Sequence, residues 1–370
     1  MTLSKDSNSE HSGTRKRLIG GALIVSGLIL AFWFGGIPSK YDRAEAEGKK
    51  PLEKLVDAIL PEPKLDTADY DKRMLALAHV VPATTTSTST ATTTKKSLWP
   101  AKTVYPNAGA LLPFNRILAY YGNFYSKGMG VLGEYPEDVM IAKLLAEKKN
   151  WEAADPSTPV IPAIHYIVVT AQGSAGKDGK YRLRMPDDQI DKALAVAEKV
   201  HGVVFIDFQV ALSNLQTELP IYEEYLKKPN VHLGVDPEFA MQPSGKKPGT
   251  VIGTMDATDI NFAASYLAKL VQDNKLPPKV LVIHRFTKGM VTNYQAIKPL
   301  PEVQIVIDMD GWGFGAKKIN TYNTVITPEP VQFAGFKLFY KNDLKAPSTR
   351  LLTPAEVLKL TPAPIYIQYQ

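Results

Sequence analysis

Eight short runs rich in Val, Ile, Phe and Tyr recur between Arg116 and Gln370, and helical segments separate most of them. The runs are "RILAYYG" from Arg116, "VIPAIHYIVV" from Val160, "GVVFIDFQV" from Gly202 and "VHLGVDPEF" from Val231. After them come "KVLVIHRFT" from Lys279, "VQIVIDMDGWG" from Val303, "FAGFKLFYKND" from Phe333 and "PIYIQYQ" from Pro364. Helix candidates between them include "YPEDVMIAKLLAEKKNWEA", "PDDQIDKALAVAEKVHG", "LPIYEEYLKK" and "DATDINFAASYLAKLVQDN"; past the fifth run the connections shorten. Strand–helix alternation requires parallel pairing with right-handed crossovers. Eight such units in about 260 residues match the size of a (β/α)8 TIM-type barrel. A doubly wound open sheet is the rival, but no glycine-rich dinucleotide fingerprint follows the first run.

The chain has no cysteine, which excludes disulfides, thiolate metal sites and thiol nucleophiles. Its net charge of +6 is mild and spread out, so nucleic acid is not an expected partner. "LIGGALIVSGLILAFWFGGI", Leu18 to Ile37, carries no charge and has the length of a membrane-crossing helix. Arg15, Lys16 and Arg17 precede it directly, and Trp33 lies near its far end. The positive-inside rule then predicts a single-pass signal anchor in the cell membrane, with a cytoplasmic N-terminus and an extracytoplasmic barrel. A cleaved signal peptide is the rival, with its only small-x-small site, Ala44-Glu45-Ala46, well beyond the apolar stretch. The resulting plan is a cytoplasmic head at 1–17, a span at 18–37 contacting the lipid bilayer, and a juxtamembrane helical stalk at 38–81. A Thr-rich linker follows at 82–97, then the barrel at 98–370.

Side chains alternate across a strand, so counting by twos assigns faces. In the third run Val204, Ile206 and Phe208 point to the helices, leaving Phe205, Asp207 and Gln209 on the lumen side. The fourth leaves His232, Gly234, Asp236 and Glu238 inward, and the sixth Gln304, Val306, Asp308 and Asp310. His284 on the fifth, Lys337 on the seventh, and Tyr366 and Gln368 on the eighth share that face. Active sites of this fold sit at the C-terminal rim, and an unpaired charge in a barrel interior costs several kcal/mol. Such groups therefore pair, bind something, or meet water in a cleft.

Glu238 stands furthest along its strand and is the expected proton donor, because a partly desolvated Glu can act near neutral pH. Asp310 is its expected partner, and Asp207 and Asp236 complete the candidate catalytic set. Asp236 alone reads equally well as a cap of the turn that follows. Trp312, beside Asp310 in "DMDGWG", offers a ring face to a sugar or closes the barrel end. His165, His284, Asp308, Lys337, Tyr120, Tyr366 and Gln368, with Tyr121, are expected to line the cleft and bind substrate. No cofactor and no metal ligand set is expected: the chain has no H-E-x-x-H, no H-x-H on the first strand and no G-x-S-x-G elbow.

From about Leu111 onward the chain resembles glycoside-hydrolase-like (β/α)8 barrels. "YYGNFYSKGMGVLGEYP", "LGVDPEF", "MDGWG", "GFKLFYKND" and "YIQYQ" are also similar to segments of bacterial membrane-anchored and lipoprotein-type surface proteins. The D-x-x-D-x-D-x-E run of chitinase-like barrels is absent. The resemblance implies a membrane-tethered hydrolase cleaving cell-envelope or extracellular glycans with paired rim carboxylates. Two readings stand beside it: a barrel that binds carbohydrate or cell-wall polymer without cleaving it, and a phosphodiester or metal-dependent hydrolase centred on His284, with Asp207 and Asp308. In the last, the His284–Arg285 pair would hold a phosphodiester.

Overall fold

The computed structural model describes residues 64–80 and 97–370. Each of the eight apolar runs forms a strand: β1 Arg116–Gly122, β2 Val160–Ala171, β3 Val203–Phe208, β4 Val231–Val235, β5 Lys279–Arg285, β6 Val303–Met309, β7 Phe333–Leu338 and β8 Tyr366–Tyr369. Neighbours pair in parallel, and β1 pairs with both β2 and β8, so the sheet closes on itself. The chain is a (β/α)8 barrel.

The covering helices follow the sequence pattern. Helix α1, Thr67–Leu77, precedes the barrel; α2, Glu137–Ala154, joins β1 to β2, and α3, Asp187–Lys199, joins β2 to β3. Along α3, Ile190, Ala193, Val196 and Ala197 recur at helical spacing and form its buried stripe. Short turns over 215–226 replace a full helix between β3 and β4. Helix α4, Ala257–Asn274, joins β4 to β5 and starts with a capping box made by Asp256 and Asp259. Helix α5, Gly315–Thr321, joins β6 to β7 and runs on into a π-turn at Tyr322–Ile326.

Two apolar cores result. One lies between strands and helices and contains Val204, Ile206, Leu233, Ile283, Ile305 and Phe336. The other fills the lower lumen with Ile117, Ala119, Phe205, Val280, Val282, Val306 and Phe333. Tyr70 and Met74, one helical turn apart on α1, belong to this second core. Part of the segment expected to stand away as a stalk is therefore a plug under the barrel. Leu77 O accepts a hydrogen bond from Ala363 N at 2.7 Å, and His79 Nε2 lies 2.9 Å from Leu360 O. Gln304 adds a polar clasp at the same end, bonding both backbone groups of Leu112.

The membrane assignment is corrected. Among the described residues no helix is long and apolar enough to cross a membrane. The apolar stretch Leu18–Ile37 on which the membrane location and the orientation rested lies outside the described residues, as do the head at 1–17 and the threonine tract Ala83–Lys96.

The loop after β2 is more ordered than its glycines and lysines suggest. Arg182–Arg184 add a short antiparallel strand to the end of β2. Arg182 and Arg184 then converge on the buried Glu218 carboxylate, at 2.8 and 2.7 Å. A buried acid needs such partners, and here the pairing ties the loop to the turns after β3.

Candidate active site

The C-terminal mouth of the barrel holds a cleft of about 650 Å³, with Tyr121, Gln209, Asp236, Glu238, Asp310 and Lys337 in its walls and floor. Phe239, Phe286, Trp312 and Phe339 supply apolar rim surface, and Trp312 is 48% exposed. Lys317 and Lys345 flank the Trp312 ring at 4.9 and 5.0 Å.

Asp236 follows β4 and caps the 3-10 turn Pro237–Phe239, its Oδ1 accepting from Glu238 N at 3.0 Å. Its other oxygen accepts from Gln209 Nε2 at 3.3 Å. Asp236 thus fixes the turn that carries Glu238 to the rim. Burial pushes the Glu238 carboxyl up to about 7, assisted by the negative charge of Asp310 and opposed by Lys337 and His284. Asp310, just past β6, forms an ion pair with Lys337 at 2.9 Å, while its second oxygen lies 3.1 Å from His284 Nδ1. Burial alone would raise the Asp310 pKa, but Lys337 first and then His284 hold it below the usual carboxylate range. Lys337 also sits 3.8 Å above the Tyr121 ring, a cation–π contact that fixes its direction.

Beneath this floor lies a fully buried polar layer. Asp207 Oδ1 is 3.2 Å from His165 Nε2 and 3.4 Å from His284 Nε2, while its Oδ2 accepts from the Tyr121 hydroxyl at 3.2 Å. His165 Nδ1 lies 2.6 Å from the Tyr366 hydroxyl, which also accepts from Gln368 Nε2 at 2.8 Å. Asp308 stands 3.6 Å from His284 Nδ1, and burial raises its pKa to about 7. Burial lowers His165 to about 4 despite the nearby Asp207. For His284 the carboxylates, Asp207 foremost, outweigh burial and hold its pKa well above the usual value.

Glycine makes this crowding possible. A Cβ on Gly234 would lie 2.3 Å from Asp207 Oδ1 and 2.4 Å from His165 Nε2. On Gly335 it would lie 2.5 Å from Asp308 Oδ1.

The candidate residues therefore divide by depth. Asp236, Glu238, Asp310, Trp312 and Lys337 reach the cleft, with Tyr121. Asp207, His165, His284, Asp308, Tyr366 and Gln368 lie under it, each at 0% exposure or packed within the same layer. Tyr120 is a correction: it faces the helices, where its hydroxyl meets that of Tyr340 at 2.8 Å, and strand alternation gives the lumen to Tyr121 instead. Arg285 is another. It leaves the barrel on the opposite face from His284, pairing with Glu329 at 2.5 Å and with three backbone carbonyls, so the two never converge on one phosphodiester. Sequence reading missed the rim phenylalanines, Phe239, Phe286 and Phe339. Each lies within a quoted apolar run but one to four residues beyond the strand itself, and that position was their only signal.

No family model matches the chain, and no curated protein matches it. Solved structures with a similar arrangement include a GH5-4 broad specificity endoglucanase from Clostridium acetobutylicum, 10% identical, with 70% of this chain and 87% of that one covered and a TM-score of 0.37. A GH5 xyloglucan-specific endo-beta-1,4-glucanase from a metagenomic library, in complex with cellotriose, is 11% identical, with 70% and 88% covered and a TM-score of 0.33. The barrel itself is established by the closed strand order, independently of this likeness.

Proposed function

We propose that the chain is a glycan hydrolase working by acid–base catalysis with Glu238 and Asp310. The observation that carries this reading is the pair of carboxyl groups facing one cleft in opposite surroundings: Glu238 partly buried on the rim, Asp310 tied to Lys337. Two carboxyl groups in different environments divide into an acid and an anion, the division that glycoside hydrolysis needs. Glu238 donates its proton to the leaving oxygen. The Asp310 carboxylate faces the electron-poor sugar carbon, as nucleophile or as base for water; a carboxyl separation of about 5–5.5 Å goes with retention and about 6.5–9.5 Å with inversion. The exposed Trp312 offers ring surface to the apolar faces of sugar rings, and Gln209, Lys317 and Lys337 offer donors to hydroxyls.

The reading centred on His284 requires substrate to reach that ring. His284, Asp207 and Asp308 are each 0% exposed, below the floor, which disfavours it.

The test is reducing-sugar release from a panel of polysaccharides by the purified chain and its Glu238→Gln variant. Turnover that falls by about 10²–10⁴ in the variant supports the assignment; undiminished turnover removes Glu238 from the chemistry. Binding of the panel without turnover by the unaltered chain would replace this reading with a non-catalytic carbohydrate-binding barrel. Because the acid must carry its proton, kcat/KM should fall as pH rises through about 7, the value set for Glu238 by its burial.

A further inference from the structure

We propose that His165, Asp207 and His284 form a buried three-ligand binding site for one divalent transition-metal ion of the zinc type, its fourth position left to water, held on three barrel strands beneath the cleft. One ligand atom from each residue lies within 4.8 Å of the other two, Asp207 Oδ1 facing Nε2 of both histidines, and all three side chains are fully buried. Two edges of the triangle measure 3.2 and 3.4 Å. Ligands at about 2.0–2.1 Å from a tetrahedral zinc stand about 3.3–3.4 Å apart, so both edges suit such an ion.

The three atoms are also left over by the rest of the network. Although near one another, His165 Nε2, Asp207 Oδ1 and His284 Nε2 have no aligned hydrogen-bond partner. Buried polar atoms without aligned partners are costly, and one ion at the point where these three converge would satisfy all of them. The surrounding groups supply what metal-bound histidines require, a partner for the other ring nitrogen. His165 Nδ1 faces the Tyr366 hydroxyl at 2.6 Å; His284 Nδ1 lies 3.1 Å from the Asp310 carboxylate, near enough for an ion pair though without an aligned hydrogen bond. Asp207 keeps its second oxygen engaged by Tyr121 at 3.2 Å. Gln368 fits the same scheme: its Oε1 is unpartnered, and turning the amide by half a rotation lets it accept from Tyr366 while His165 donates from Nδ1.

None of the three ligands borders the cleft, so the ion is shielded from substrate. It would cross-link β2, β3 and β5, and through His284 it would hold Asp310 in place. This inference is independent of the glycan-hydrolase reading, and its readout involves no substrate.

The experiment uses the purified full chain, stripped with a chelator, loaded with Co²⁺ and dialysed. About one Co²⁺ per chain is expected, with tetrahedral visible bands and two imidazole nitrogens by X-ray absorption. His165→Gln, Asp207→Asn and His284→Gln should each remove the bands, and thermal melting in added Zn²⁺ should shift upward in the unaltered chain alone. Failure of the unaltered chain to retain Co²⁺ would overturn the site, leaving His284 as an imidazolium ion-paired with Asp207 and Asp310. Retention through all three substitutions would place the ion on other histidines and overturn it equally. If the variants do not fold, the count of imidazoles around Co²⁺ in the unaltered chain decides: fewer than two rejects the site.

Discussion

The lower and upper halves of the lumen come from the same eight strands and are built on opposite principles. Below, Ile117, Val280, Val282, Val306 and Phe333 pack with Tyr70 and Met74 into a core that needs no ligand. Above, His165, Asp207, His284, Asp308 and Asp310 fill the same cylinder with ionisable groups, several of their atoms lacking partners. An apolar half stabilises a fold by removing surface from water, while a charged half costs free energy unless every member is compensated. The barrel can support the second because the first is so completely closed.

Substitutions can break or sharpen this contrast. The largest effect belongs to Glu238→Gln, which should lower glycan turnover by about 10²–10⁴ while its thermal melt stays that of the parent chain. Phe333→Ala in the lower half should do the reverse, costing about 3–5 kcal/mol in urea unfolding and leaving the residual turnover per folded molecule unchanged. Gly234→Ala places a methyl group against both Asp207 and His165, and should cost about 1–3 kcal/mol in the same assay.

His232 tests the lower half by pH. Burial holds its pKa well below the usual 6.5, and its Nδ1 accepts from Val280 N at 3.1 Å, so the folded chain keeps it neutral. Its contribution to stability is therefore present above pH 6.5 and is lost as pH falls, because only the unfolded chain takes up the proton. Each unit below 6.5 costs about 1.4 kcal/mol. His232→Asn, which keeps an acceptor near Val280, should show a shallower loss between pH 6.5 and 5 in denaturation midpoints; an unchanged slope would contradict a neutral buried imidazole. The smallest effect is expected for Tyr120→Phe, about 0.5–1.5 kcal/mol from its bond to Tyr340, with turnover unaltered.

What could be read from residues alone follows from periodicity. All eight strands were visible because β-branched and aromatic residues alternate in each, and that alternation sent Asp207, Asp236, Asp308 and Asp310 inward together. Counting by twos within "RILAYYG" separates Tyr121 from Tyr120, since Ile117 and Ala119 share the lumen with Tyr121. Depth was legible within a run, where Asp308 precedes Asp310 by two residues and lies beneath it, but between runs it depends on register against neighbouring strands, which pattern within one strand does not encode. The His165–Asp207–His284 triangle was hidden for a related reason. Its members come from three strands far apart in sequence, and no short spacing motif links them. Helix α1 looked free-standing because one amphipathic stripe names no partner; only the closed barrel shows what Tyr70 and Met74 cover.

That plug has a practical corollary for where the folding unit begins. A fragment started at Ser97 would keep every strand yet leave Ile117, Phe333 and Ile365 without the cover of Tyr70 and Met74. Exposed apolar surface of that kind promotes self-association, so such a fragment should aggregate on light scattering while one reaching back to Lys64 stays dispersed. By this measure the folding unit reaches back to helix α1, whose first residue, Thr67, precedes the first strand by about fifty positions.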